Sequence, residues 1–527
     1  MTKFIKLIIL ILVCFTNSLL SQSTFHQELG AYFNSTIGLD SGFTSDRSMF
    51  NPFVKDSVYL KDFDNYLYED KKYIPLLFNK NWIGYEKQPN KYITLDPYYN
   101  IQIGRETFPE SSTLNLYRRG VLVNGRIGNR FRFFSILSEN VSKYDSYNRD
   151  RMKLYEVAYG EGEFKLNDNP NSISVIQSVG LMEVQIIDEI KFTAGHGKNF
   201  LGDGYRSLLL SDNATSYPMA KLNFKFWCFD YSATVGEFID LYSDIPGDGL
   251  RQKSYGTFHY LDIKIHKRWY FGLMEAVIYK GDSLGRNSFD VNYLNPFIVM
   301  RPQEMNIGSP DNMLMGANSK FIISDSWKIY GQAIITEFKG DELFGGRKWW
   351  GNKYGFQLGT RLNNPKFLPG LSARLEYNIV RPFTYAHRSS AQSYGHLNQA
   401  LAHPLGANFQ EVLFHVNYKI KRWLFSLNTN YNQKGTDYNN SPISYGGNLF
   451  LDYDLRENDY GHKTLQGNLS TQLINEVKAS WLVNPANFMF LELGFTQRNS
   501  WENNSHRNYQ YLFFGVKTRF LNYYDDY

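Results

Sequence analysis

The stretch of this chain that most resembles a reactive site is a glycine-rich block, Gly195–Arg206, which carries a lysine and an aspartate between its four glycines. Such a block can cradle a phosphate when it ends in Gly-Lys-Ser/Thr and leads from a strand into a helix. Here Lys198 is followed by Asn199, so the phosphate interpretation fails. The simpler interpretation is that the glycines let a loop fold tightly back into the mouth of a larger structure.

The serines that follow this block raise the possibility of a hydrolase. A serine nucleophile needs a histidine and a carboxylate that converge on it, and the best local set is Ser207, Ser211, His196 and Asp212. Neither serine lies in a Gly-x-Ser-x-Gly elbow, and no pair of carboxylates stands out for sugar hydrolysis. The sequence therefore predicts a protein that is not an enzyme.

Three histidines recur further along the chain and raise the possibility of a metal site. His387, His396 and His403 lie within one predicted loop, but their spacing does not match structural zinc patterns, and no cysteine accompanies them. We expect neither a metal nor another cofactor.

The chain around these residues alternates between apolar and polar side chains. In Leu371–Ile379 every odd position is apolar and every even position is polar, and a period of two over this length predicts a β-strand with one face of each kind. Similar blocks form about eight hairpins with very short turns, with a strand near Tyr98–Gly104 before them and one over Tyr509–Phe520 after them. The total is roughly 18 strands, an even number, as bacterial single-chain outer-membrane barrels have.

The connections between the hairpins are long and run over 139–180, 196–218, 280–312, 381–410 and 432–468. Short turns that strictly alternate with long loops are typical of an outer-membrane barrel, with the turns in the periplasm and the loops outside. A β-sandwich would also show period-2 alternation, but tryptophans recur within a few residues of the short turns, at Trp227, Trp269, Trp327, Trp423 and Trp481. Tryptophans at one level form the aromatic girdle of a membrane interface. We predict an all-β protein, a transmembrane antiparallel β-barrel surrounded by the lipid of the cell outer membrane.

The beginning of the chain predicts export. Lys3 and Lys6 precede the apolar run Leu7–Phe15, which indicates a signal peptide over residues 1–21; the run is too short for a spanning helix, which needs about 20 residues. Residues 22–96 lack the alternation and are assigned to a small N-terminal periplasmic or plug segment, and residues 97–527 to the barrel. A net charge of +5 gives no reason to expect a nucleic-acid partner. Once the signal is removed, Cys228 is the single cysteine, so no intramolecular disulfide is expected.

Four blocks in the long loops carry a resemblance to known proteins: Gly195–Ala214, Tyr293–Pro296 with Arg301–Pro302, Gly308–Asn312 and Ala402–Asn408. They resemble the RemB group of gliding-motility proteins, which is similar to the capsule-assembly Wzi-type outer-membrane barrels. The resemblance covers residues 102–527 and implies an 18-stranded barrel with a role at the cell surface in motility or polysaccharide attachment. The helical bundle of Wzi-type proteins is not readable in the N-terminal segment.

All the blocks of this resemblance lie in loops on the predicted outer side. We expect their polar residues to fold over the mouth and form a ligand surface, because aromatic faces with hydrogen-bonding neighbours suit sugar chains; these residues are Lys198, Asp203, Arg206, Arg301, Glu304, Asp311, Asn312 and His403. Alternatively, the same residues lock the loops to one another and close the lumen.

The function predicted from the sequence is non-catalytic, in gliding motility and/or capsule or exopolysaccharide attachment. Its partners would be surface polysaccharide or proteins of the motility machinery. A porin-like channel is the alternative, since roughly 18 strands leave room for an aqueous pore unless the loops plug it.

Overall fold

The computed structural model describes residues 81–527 apart from 89, 110, 168–171, 244–250, 281–289, 297–310, 338, 440, 485–486 and 503–504. The expected signal peptide and residues 22–80 of the expected N-terminal segment lie outside the described residues. The described part of that segment contains a strand over Ile83–Gln88 and the start of a longer one at Lys91.

The structure is built mainly of strands. The first twelve are β1 (Ile83–Gln88), β2 (Lys91–Phe108), β3 (Ser112–Ile127), β4 (Phe131–Ser142), β5 (Val157–Ala158), β6 (Gly162–Glu163), β7 (Lys165–Leu166), β8 (Ile173–Ile187), β9 (Ile190–Gly197), β10 (Tyr217–Phe226), β11 (Phe229–Asp240) and β12 (Gln252–His266). The others are β13 (Trp269–Lys280), β14 (Asn312–Ser324), β15 (Trp327–Glu337), β16 (Lys353–Asn363), β17 (Leu371–Val380), β18 (Gly395–His396), β19 (Gln399–Ala400), β20 (Phe409–Ile420), β21 (Trp423–Thr436), β22 (Asn468–Asn484), β23 (Met489–Glu502) and β24 (Ser505–Thr518). Within the described ranges two α-helices, α1 (Ser146–Tyr155) and α2 (Gly340–Phe344), and short 3₁₀ turns lie between strands.

The strands close into a single antiparallel barrel of 18 strands, as the alternation predicts. Strand β2 completes the ring because it pairs with β3 along one edge and with β24 along the other. Two further strands extend this sheet outside the ring: β1 pairs with the first residues of β2, and β7 with the start of β8.

The barrel is apolar outside and polar inside. Along β17 the side chains of Arg374, Glu376 and Asn378 are buried, whereas Leu375 and Tyr377 are 49% and 40% exposed. This is the reverse of a water-soluble sheet, and it is the pattern of a barrel whose outer face meets lipid. The tryptophans at the short turns, Trp227, Trp269, Trp327 and Trp423, are exposed as well. The protein is an outer-membrane barrel. Among the helices of the described residues, none is long and apolar enough to cross a membrane.

Short turns and long loops lie at opposite ends of the barrel, but their alternation is not strict. At the loop end, β2 and β3 pair up to Glu106 and Ser112, and β23 and β24 pair up to Glu502 and Ser505. These two hairpins keep their hydrogen-bond ladders to the tip, so only residues 109–111 and 503–504 connect them. The prediction that every loop-end connection is long was therefore wrong at these two positions.

Two segments that enter the barrel from opposite ends meet in its interior. The first is residues 198–216, between β9 and β10, which we call the inner loop. The second is Arg519–Tyr527, which follows β24 and which we call the C-terminal tail. Leu208, Leu209 and Leu210 of the inner loop and Phe520 and Tyr524 of the tail belong to one buried cluster with inward-facing strand residues.

Candidate ligand-binding site

The inner loop descends from the loop end of the barrel deep into the lumen. A Cβ on Gly202 would lie 2.1 Å from Nε2 of Gln332, and a Cβ on Gly204 would lie 2.4 Å from Oε1 of Gln357. Only glycine allows so close an approach to the wall. The close approach agrees with the predicted role of the glycines for Gly202 and Gly204, whereas Gly195 and Gly197 lie in β9.

Arg206 is the centre of the inner loop's polar contacts and is fully buried. Its guanidinium forms ion pairs with Glu411 of the barrel wall and with Asp526 of the C-terminal tail. Burial alone would raise the pKa of Asp526, but the adjacent Arg206 guanidinium lowers this pKa to about 2. The carboxylate of Asp526 therefore stays charged at neutral pH. Through its two ion pairs, Arg206 joins the inner loop to the wall and to the tail.

His403 completes this cluster from the loop that follows β17. Its Nε2 lies 2.8 Å from Oε2 of Glu411, and its Nδ1 accepts a hydrogen bond from the backbone N–H of Leu405 at 3.2 Å. Because Nδ1 accepts, Nε2 carries the proton and donates it to Glu411. Burial lowers the pKa of His403, which agrees with a neutral ring.

Asp203 and Lys198 lie at different depths in the lumen. Asp203 accepts from Nζ of Lys320 at 3.2 Å and from Nζ of Lys328 at 3.4 Å. Lys328 is the second residue of β15 and lies at the short-turn end of the barrel. Lys198 is buried near the top of the inner loop, 5.4 Å from the ring centroid of Tyr523, and its Nζ has no hydrogen bond among the described residues. Burial lowers the pKa of Lys198 to about 8.

The remaining predicted site residues lie near the start of β14 or outside the described ranges. Asn312 donates to the backbone oxygen of Gln392 at 2.9 Å, and Asp311 accepts from the hydroxyl of Tyr293 at 2.7 Å and from Gln392 at 3.0 Å. Arg301 and Glu304 lie outside the described residues. The predicted site residues that the structure describes, apart from Lys198, therefore hydrogen-bond to another loop or to the wall, and these residues do not form one common surface.

The residues considered for catalysis and metal binding are also separated. His196 lies on the exposed face of β9, whereas Ser207 and Ser211 are buried in the lumen. The hydroxyl of Ser207 already takes part in hydrogen bonds, with the backbone oxygen of Leu201 and with Oε1 of Gln332. Within the described ranges no group of three or more His, Cys, Asp or Glu is placed to hold a metal ion.

The C-terminal tail rises from the short-turn end beside the inner loop. At its start Arg519 pairs with Glu492 near the beginning of β23. Higher up, the hydroxyl of Tyr524 donates to Asp212 of the inner loop at 2.7 Å, and Arg498 donates to the backbone oxygen of Asp525. The tail thus passes between the inner loop and the wall, which it contacts on β21 and β23 and, through Tyr523, at Tyr98 of β2 and Gln177 of β8.

Above the end of the tail, at the loop end of the barrel, lies a cavity of about 500 Å³, which we call the mouth cavity. Its size is in the range of small-molecule sites. Its walls combine five tyrosines, three cations and several amides: Tyr147, Tyr155, Tyr159, Tyr509, Tyr527, Arg151, Lys434, Arg507, Asn398, Gln399, Asn432 and Gln472. Aromatic faces beside hydrogen-bonding groups suit the alternating apolar and hydroxyl faces of a sugar.

Arg151 of α1 is the best-positioned cation in the mouth cavity. Its guanidinium lies 3.9 Å from the ring centroid of Tyr159 and 3.7 Å from that of Tyr527, and its Nη1 donates to the backbone oxygen of Tyr527 at 2.9 Å. Helix α1 is held in place by Asp145, whose side chain caps it by accepting from the backbone N–H of Asn148. The cation is therefore oriented before any ligand arrives.

Sequence reasoning missed the mouth cavity. None of the predicted site residues lines it. Its residues come from α1, from the loops after β17 and β21, from the upper ends of β21–β24 and from the tail. The density of tyrosine and arginine in Ser146–Tyr159 and the Tyr523–Tyr527 run were the available signals, but neither has a spacing that indicates a binding site.

Comparison with known proteins found solved structures of barrels that are similar to this chain at low sequence identity. No protein family matches the chain, and no curated protein matches it. Among solved structures, Wzi from Escherichia coli, described as a carbohydrate-binding β-barrel involved in group 1 capsule assembly, is similar over 79% of this chain and 83% of its own, at 12% identity and a TM-score of 0.48. OccK8 (OprE) from Pseudomonas aeruginosa covers 80% of this chain and 97% of its own, at 10% identity and a TM-score of 0.41. OprD from the same organism covers 82% and 96%, at 12% identity and a TM-score of 0.42. Identities this low leave the function to be argued from the chain's own residues.

Proposed function

We propose that this outer-membrane barrel binds surface polysaccharide in the mouth cavity and does not act as an enzyme. The observation that carries the proposal is the cavity itself, a recess of about 500 Å³ at the loop end of the barrel, lined by tyrosines and by cations that include Arg151. Rings that stack on sugar faces and guanidinium groups that bind hydroxyls or carboxylates are the chemistry such a ligand needs.

The filled lumen supports binding over free conduction. The inner loop and the C-terminal tail meet at the buried Arg206–Asp526 pair, inside a barrel otherwise wide enough for an aqueous channel. A porin-like channel remains the second candidate, and it predicts steady conductance by the unmodified protein. A part in gliding motility would extend the proposal; it rests on the resemblance of the loop blocks to the RemB group.

The experiment is binding of the purified, folded protein to a panel of neutral and acidic polysaccharides. We expect binding by the unmodified protein and a loss of about tenfold in Arg151→Gln, since a hydrogen bond to a charged group contributes about 1.5–3 kcal/mol and 1.4 kcal/mol is tenfold in affinity. Tyr159→Ala is expected to weaken binding through loss of a stacking face.

The matched control is Arg347→Gln. Arg347 is an exposed arginine at the same end of the barrel, paired with Glu342 outside the cavity, and its replacement should leave the affinity unchanged. Failure of the unmodified protein to bind any member of the panel would contradict the proposal, as would equal losses in Arg151→Gln and Arg347→Gln.

A further inference from the structure

We propose that residues Leu521–Tyr527 of the C-terminal tail are a stopper in a latent channel, and that their withdrawal toward the short-turn end lets the barrel conduct small hydrophilic solutes. This goes beyond the binding function, because it gives the barrel a second, conducting state.

The path that the stopper occupies has a polar wall. Asn430 donates to Asp526, Arg498 donates to the backbone oxygen of Asp525, and Glu492 pairs with Arg519. These wall residues lie on β21 and β23 and face the lumen. A wall of amides and charged groups can solvate water and ions once the tail is absent, as in the polar interiors of open barrels.

The upper end of this path is the floor of the mouth cavity. Tyr527 lines the cavity. Its backbone oxygen accepts from Tyr147 at 3.2 Å and from Arg151 at 2.9 Å, two residues that also line the cavity. Withdrawal of the stopper would therefore extend the cavity downward along this wall toward Phe520, which packs against Phe488 near the short-turn end.

The inner loop has anchors of its own and does not depend on the stopper. Arg206 keeps Glu411 as a partner, Gln357 donates to the backbone oxygen of Arg206 at 2.7 Å, and the backbone N–H of Tyr205 donates to Glu376 at 2.9 Å. The loop would thus keep its contacts with β16, β17 and β20 when the tail leaves.

The stopper is held in a way that permits release. Residues 521–527 belong to no strand, so their departure breaks no β-ladder. Their hydrogen bonds are made with side chains of the wall, of the inner loop and of α1, and they include the buried Arg206–Asp526 ion pair. By contrast, the ring of strands stays closed through the β2–β24 pairing, which ends before the tail begins.

The test is single-channel recording in planar bilayers. We expect the full-length protein to be silent and the protein that lacks residues 521–527 to show steady unitary currents. Folding of the deletion variant is checked by heat-modifiable migration on gels and by protection of the inner loop from protease. A folded deletion variant that stays silent would overturn the proposal, as would steady conductance of the full-length protein.

Neighbouring aspartates provide a full-length test should the deletion variant fail to assemble. Asp526→Asn weakens the contact with Arg206, whereas Asp525→Asn removes the same charge from a side chain that is exposed in the lumen. We expect at least tenfold more frequent brief openings in Asp526→Asn than in Asp525→Asn. In the absence of a folded deletion variant, equal opening frequencies in the two would overturn the proposal.

Discussion

Arg206 shows at the scale of one residue how the interior is held together. It lies between Glu411 and Asp526 with no exposed surface. A buried ion pair contributes little net stability when both partners are present, but removal of one partner leaves an uncompensated charge that costs about 3–5 kcal/mol.

We therefore expect Arg206→Ala to lower the thermal midpoint of the folded barrel markedly and to expose the inner loop to protease. The control is Arg388→Ala, which removes a loop ion pair with Asp454 whose side chains are 73% and 44% exposed; here the midpoint should not change measurably. The interpretation of Arg206 as a clamp is wrong if the two variants melt alike.

The double variant Lys198→Ala plus Arg206→Ala separates the two roles considered for the loop residues. Misassembly would indicate that they lock the lumen, whereas loss of ligand binding in a fully folded barrel would indicate a binding surface. The burial of both side chains leads us to expect misassembly.

At the scale of elements, the β8–β9 hairpin depends on one glycine. Gly195 has a φ of +141°, and a Cβ there would lie 2.2 Å from the backbone oxygen of Gly180 on the paired strand. Gly195→Ala should therefore destabilise the barrel by about 1–3 kcal/mol, through both backbone strain and the clash with β8.

Gly128 provides the comparison because it also has a positive φ, of +65°, but no atom lies within 4 Å of its would-be Cβ. Gly128→Ala should cost only about 1 kcal/mol. Denaturant unfolding of both variants in detergent measures the difference, and a larger loss in Gly128→Ala would contradict the argument.

The elements also show which parts of the structure are readable from the sequence. The alternation in Leu371–Ile379 predicts both the strand and its faces because the side-chain period of a strand is two. The inner loop and the tail carry no such period. The partners of Arg206 lie 205 and 320 residues away along the chain, and no local pattern encodes so distant a contact. The mouth cavity was missed for the same reason, since α1, the strand ends and the tail meet only after the ring closes.

At the scale of the whole molecule, the apolar outer face determines how the barrel responds to a charge. Leu375 lies in the middle of β17, is 49% exposed and faces lipid. Leu375→Arg should destabilise the barrel in vesicles by about 2–4 kcal/mol, the cost of an arginine at the bilayer midplane.

Phe367→Arg is the matched control. Phe367 is also exposed, but it lies in the turn between β16 and β17, outside the spanning strands. The folded fraction against urea should fall for Leu375→Arg and change little for Phe367→Arg. Equal behaviour of the two variants would place the lipid boundary elsewhere on the barrel.

The contact between Arg206 and Asp526 has a consequence for biogenesis. Its two halves are separated by thirteen barrel strands and 320 residues, and contacts of such high sequence separation form late because of the entropy of closing the intervening chain. The interior is therefore completed only after the final hairpin has been inserted. A nascent barrel would pass through a hollow intermediate until the arrival of the tail forms the contact between Asp526 and Arg206.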